Sequence, residues 1–198
     1  MIRAALFAVA ALAATSAHAF DAASPHALMR QEPAIQARLA SLSASREAPA
    51  STRRLVADPT GAAAGTITID TAGRRLYFSL GEGRAVSYGV GVGREGFEWK
   101  GRVNIGRMAE WPDWTPPAAM LKRRPDLPTF MAGGEGNPLG ARAMYLYSGG
   151  KDTIYRIHGT NEADTIGSAV SSGCIRMLNE DVADLYARVK VGTAVVVM

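Results

Sequence analysis

The sequence predicts a mainly β domain, sandwich- or barrel-like, with a long Pro/Gly/Trp-rich loop and a short helix before the last strand. Three observations lead there. From Thr66 onward apolar residues recur at every second position, and glycine-containing turns break that alternation at short intervals. Between 107 and 142 it gives way to prolines, glycines and two tryptophans. Period-two patterning punctuated by glycine marks half-buried antiparallel strands joined by tight turns.

In chain order the predicted strands are TITID, RRLYFSL with Leu76, Phe78 and Leu80 on one face, RAVSYGVGVG and RVNIG, with turns at Ala72-Gly73 and Gly81-Glu82-Gly83. GVGREG at 91–96 matches a dinucleotide-binding fingerprint. The next residues, FEWKGRVNIG, read as strand, so no helix N-terminus awaits a pyrophosphate, and the segment reads as a hairpin turn. Residues 107–142 form a loop long enough to be a lid or binding loop, with one helical turn at Pro117–Arg124. Strands resume with AMYLYS and TIYRIHG. Asn179 is the expected N-cap of a helix carrying Val182, Leu185, Tyr186 and Val189 on one face, and Gly192 closes it before the strand TAVVVM.

Residues 1–19 combine Arg3, an apolar run over 4–14 and the small-residue ending Ala17-His18-Ala19, the pattern of a secretory signal. The run falls short of the roughly 18 residues a spanning helix needs, and no later segment reaches that length. Residues 20–64 read as an Ala/Ser/Pro-rich tether with one short amphipathic patch (Ile35, Leu39, Leu42), leaving 65–198 as a single globular domain. The formal charge of +4 is spread without a dense basic stripe, which argues against a nucleic-acid partner.

Export makes the cysteine count informative. Cys174, in SSGCIRM at 171–177, is the only cysteine in 198 residues, and an unpaired thiol in an oxidising compartment asks for a reason. A thiol near its ordinary pKa is only slightly ionised at neutral pH, so a nucleophilic cysteine needs a base beside it. In the globular part His158 is the sole histidine, at the end of TIYRIH and just before Gly159. Around the thiol, Gly173 permits close approach of a substrate, and the N–H groups of Gly173 and Cys174 are candidate oxyanion donors. Ser171 and Ser172 flank the site. Arg176, two residues on, either favours the thiolate and binds a substrate carboxylate or pairs with a carboxylate such as Glu180 or Asp181. One His and one Cys are too few for a zinc site.

IHGT at 157–160, Ile166-Gly167, SSGCIRM, Asn179 and Asp181, Leu185-Tyr186 and the ending VGTAVVV together resemble the L,D-transpeptidase catalytic domain, the YkuD family of bacterial cell-wall enzymes. The resemblance implies a periplasmic or cell-envelope enzyme without metal or organic cofactor, sensitive to carbapenem-type β-lactams. It acts on peptidoglycan stem peptides: Cys174 attacks the bond between an L-centre diamino acid and D-Ala, and an amine of a neighbouring stem resolves the thioester to a 3-3 crosslink. His158 is the implied base, held by the Gly159 carbonyl, and Arg176 matches the arginine of the GCIR motif. Loop 107–142 becomes the lid over the acyl-donor groove, with Trp111 and Trp114 either lining it or packing beneath. Many members carry histidine where this chain has Ser172, whose hydroxyl cannot act as a base near neutral pH. An L,D-carboxypeptidase or endopeptidase using the same acyl-enzyme, and a non-catalytic peptidoglycan-binding protein, are the alternatives.

Overall fold

The computed structural model describes residues 50–198, so the stretch read as a signal and most of that read as a tether, with its amphipathic patch, lie outside the described residues. Eleven strands follow one another as β1 (Arg54–Ala57), β2 (Ile67–Asp70), β3 (Arg75–Gly81), β4 (Arg84–Gly89), β5 (Val92–Gly93), β6 (Gly101–Glu110), β7 (Arg142–Ser148), β8 (Lys151–His158), β9 (Ala169–Ser171), β10 (Ile175–Arg176) and β11 (Ala194–Val197). Helix α1 (Ala118–Arg123) lies within the long loop, and helix α2 (Asn179–Arg188) precedes β11. Nine strands form one sheet in the order β1-β4-β3-β2-β11-β6-β7-β8-β10, and β5 pairs with β9 apart from it. Strands far apart in that order, β3 and β4 at one end and β8 and β10 at the other, put side chains into one core with Val182 and Leu185 of α2. The sheet therefore curls around a single interior.

The expected alternation holds for most strands, and its exceptions have local causes. Leu76 and Phe78 are buried, but Leu80 is 37% exposed, because the β3–β4 register shifts between Ser79 and Gly81 and the bulge turns Ser79 inward instead. The β7–β8 turn is Gly149-Gly150, both at positive φ, as a tight two-residue hairpin requires. The GVGREG segment is not a hairpin between neighbouring strands: a turn at 94–97 links β5, which pairs with β9, to β6 in the large sheet. Strand β6 runs to Glu110, so the loop begins at 111 rather than 107 and ends at 141, where β7 follows.

Strand β1 lies inside the stretch read as tether and pairs with β4. What holds it there is Asp181 of α2, fully buried, which accepts hydrogen bonds from Ser51 Oγ (2.5 Å), Thr52 Oγ1 (2.5 Å) and Thr52 N (3.0 Å). Replacing Asp181 with alanine leaves three donors without their acceptor. The expected loss is about 3 kcal/mol of unfolding free energy, read as a lower urea midpoint. An unchanged midpoint would show that β1 is not anchored through this carboxylate.

Candidate active site

The site is built on a pairing that the alternation alone does not announce. Strands β8 and β10 run parallel, with Ile175 beside Ile157 and Arg176 beside His158. Side chains alternate across a strand, so Ile157 and Ile175 enter the core. On the other face, Cys174 and Arg176 stand beside Arg156 and His158. The turn through Ser168 and the short strand β9 carries the chain back so that Cys174 and His158 fall on one face, one diagonal step apart in the register.

His158 is 4% exposed, and its Nδ1 lies 2.6 Å from the Gly159 carbonyl oxygen. An oxygen there accepts a hydrogen bond from Nδ1–H, which leaves Nε2 as the basic nitrogen. Burial, aided by the charges of Arg176 and Arg156, pushes the imidazole down to about 4 against the opposing bond to Gly159. Burial likewise raises the Cys174 thiol above its ordinary value, although the Arg156 N–H bonds it and two guanidinium groups oppose the shift. Both shifts favour the uncharged forms, thiol and imidazole.

Gly159 is itself positioned from behind. Asn179 Oδ1 accepts from Ala141 N (3.0 Å) and Thr160 N (3.2 Å), clamping the chain on both sides of the β7 entry and the His158 exit. Asn179 is thus the first residue of α2 and not its N-cap, which is Leu178.

The turn leading into Cys174 is braced by Ser171. This buried hydroxyl donates to the Cys174 carbonyl (2.6 Å) and accepts from Gly173 N (3.1 Å). Both the Ser171 hydroxyl and the Gly173 N–H, expected at the substrate and at the oxyanion, are thus engaged with the turn itself in this structure. Gly173 sits at φ +107°, a conformation side chains rarely adopt, and a Cβ there would lie 2.5 Å from Tyr155. Beneath it Trp99 donates to the Gly173 carbonyl (2.9 Å) and stacks on Tyr155, centroids 4.6 Å apart. Ser172 is half-buried, its Oγ 3.4 Å from Arg94 Nη1.

Arg176 pairs with a carboxylate, but with Glu162 (2.7 Å) and neither Glu180 nor Asp181. Trp111 is 43% exposed at the foot of the long loop, where its N–H bonds Ala141 O (2.8 Å). Trp114 is half-buried and forms a two-way backbone bridge with Met131 that closes the loop's base. The loop touches the rim at two points: the Arg123 guanidinium lies 5.0 Å from the Phe97 ring, and the Gly136 carbonyl accepts from Asn161 Nδ2 (3.0 Å). Phe97 adjoins Gly173, and Asn161 lies three residues after His158, so the loop spans the interval between the two.

A family model described as the L,D-transpeptidase catalytic domain, YkuD, matches residues 64–197. The chain belongs to the YkuD family. Among curated relatives of this YkuD domain, the probable L,D-transpeptidase ErfK/SrfK of Escherichia coli (strain K12) is 36% identical over 138 residues, 65% of this chain and 42% of that one. The chain thus spans about two-fifths of the length of such relatives. A Brucella melitensis structure described as a probable carnitine operon oxidoreductase is 49% identical, with a TM-score of 0.50 over 74% of this chain and 92% of that one. The catalytic domain of the Enterococcus faecium L,D-transpeptidase, acylated by ertapenem, is 16% identical, with a TM-score of 0.50 over 67% of this chain and 95% of that one, a likeness of fold alone.

Sequence reasoning missed Arg156, Trp99, Tyr155 and Glu162. Arg156 had a legible signal: two residues before His158 on a strand, it shares the histidine's face. Trp99 reaches the site from a loop far away in the chain, and Glu162 from the irregular stretch just after His158, where no local pattern marks it.

Proposed function

We propose that the protein is an exported L,D-transpeptidase in which Cys174 is the nucleophile and His158 the base, acting on peptidoglycan tetrapeptide stems. The parallel pairing of β8 and β10, which sets both side chains on one face with Nδ1 tied to Gly159, carries this reading. The sequence of residues 1–19 supports export.

Because both groups favour their uncharged forms, the thiol loses its proton as it attacks. Cys174 Sγ forms a bond to the carbonyl carbon of the diamino acid while Nε2 of His158 takes the proton. Oxygen of the tetrahedral intermediate is met by the Cys174 N–H. Collapse breaks the C–N bond, and the protonated imidazole hands its proton to the departing D-Ala amine. The thioester remains on Cys174. An acceptor amine then gives a proton to Nε2 as it attacks, and expulsion of sulfur, which regains that proton, leaves a 3-3 crosslink. Arg176, released from Glu162, is the group that meets a carboxylate near the leaving residue. Loop 111–141 is the lid over the donor, with Trp111 at its foot and Trp114 holding its base.

Purified tetrapeptide stems and the mature protein test this directly. Loss of D-Ala with appearance of dimers by mass spectrometry is the expected result, together with a carbapenem adduct on the wild-type protein that Cys174→Ala lacks. Tripeptides alone would assign hydrolysis. Neither product nor adduct would leave a non-catalytic peptide clamp.

A further inference from the structure

The nucleophile's face of the sheet extends away from Cys174 as a row of larger side chains. Arg107 of β6 pairs with Tyr145 of β7, and Tyr145 with Arg156 of β8, which adjoins Cys174. The Tyr145 ring is held between two cations, the Arg107 guanidinium carbon 3.8 Å and that of Arg156 4.3 Å from its centroid. Two irregularities create this row. The β6–β7 register shifts between Ile105 and Arg107, and the β7–β8 register shifts between Tyr145 and Tyr147. In the second, exposed Ile154 adopts φ +61°, a costly conformation for a β-branched residue, with its N–H bound by Asp152. Bulges that re-aim side chains beside a reactive group are a recurrent device.

The two arginines are not equivalent. Arg156 is occupied, with Asp152 gripping it at 2.6 and 3.0 Å. Arg107 is exposed, and no carboxylate of the described residues lies within ion-pair distance of it. Stacking on Tyr145 fixes its plane and leaves the donor fork free. With Asp152 cancelling one cation, the cluster carries a single surplus positive charge, which suits a carboxylate better than a phosphate.

We propose that Arg107, laid on Tyr145 and backed by Arg156, is a carboxylate subsite for the acyl donor. This rests on the acyl-transfer reading above. Strands lie about 4.8 Å apart, so the subsite is roughly 10 to 14 Å across the sheet from Cys174. At about 3.5 Å per residue that is three to four residue lengths along an extended donor, less the reach of the side chains that meet across the gap. Upstream of the scissile bond a stem can offer two carboxylates to such a subsite: one on the diamino acid's side chain and one on the acidic residue before it.

Steady-state kinetics on defined tetrapeptide stems decides the matter, with both carboxylates free or with each amidated in turn. The wild type is expected to favour the free form at one of the two positions by about tenfold in kcat/KM. Arg107→Gln removes that preference by raising KM for the free stem about tenfold while kcat stays, and Arg107→Lys, which lacks the planar fork, does not restore it. Arg102→Gln, an exposed arginine elsewhere on β6, leaves the preference intact. The subsite is overturned if Arg107→Gln keeps the wild-type ratio or loses equally on every stem. A wild-type protein that forms no carbapenem adduct and turns over no stem overturns the acyl-transfer reading itself, whereas an adduct with an unchanged ratio removes only the subsite.

Discussion

Glutamine at position 158 is expected to slow acylation of Cys174 by about 10³-fold, the middle of the range for loss of a general base. The amide can still donate to the Gly159 carbonyl, so the local fold is retained, but nothing is left to take the proton of a thiol whose burial already raises its pKa. Stopped-flow acylation by a carbapenem measures it. The same group sets the pH dependence. In the proposed role His158 acts as a base only when neutral, and with its pKa pushed down to about 4 the wild-type acylation rate is expected to stay level from pH 8 to pH 6 and to fall only as the pH approaches 4. A rate that halves near pH 6.5 would mean an imidazole at its ordinary value and an environment unlike the one described. Stability follows the same sign. The folded pKa lies below the unfolded 6.5, so the contribution is complete above 6.5 and is lost as pH falls through about 4, amounting to about 3 kcal/mol. The glutamine variant should lack that component of acid sensitivity.

Alanine at position 173 is expected to cost about 10²-fold in turnover and roughly 2 kcal/mol in stability, from the strained backbone and a displaced nucleophile. At φ +107° any side chain is unfavourable, and here the added carbon would lie 2.5 Å from Tyr155 Cε1. Tyr155 cannot retreat freely, because it stacks on Trp99, whose indole holds the Gly173 carbonyl. Shrinking the ring in a Gly173→Ala, Tyr155→Ala double variant removes the clash but not the backbone strain, so recovery should be partial. Wild-type acylation rates in Gly173→Ala would show that the turn is not held by this stack.

Much of the scaffold was readable because its causes are local. Leu76 and Phe78 follow the alternation of a half-buried strand, Gly81-Glu82-Gly83 turns β3 into β4, and Val182 and Leu185 share a helical face. Where local reasoning failed, a contact from elsewhere prevailed. Leu80 is turned outward by a register shift against β4, β6 continues to Glu110 because β7 pairs along its length, and Asn179 spends its side chain on two loops instead of capping its own helix.

Residue chemistry by itself determined which side chains are able to react: a single thiol, a single globular histidine and a glycine before the thiol, embedded in motifs specific enough to point to the YkuD family. Only the tertiary structure decided how they are engaged. It runs β10 parallel to β8, commits the Gly173 N–H to Ser171, pairs Arg176 with Glu162 and shifts Cys174 and His158 toward their uncharged forms. The physical reason is that reactivity resides in a side chain's covalent structure, whereas protonation and partnership depend on burial and on neighbours supplied by distant parts of the chain.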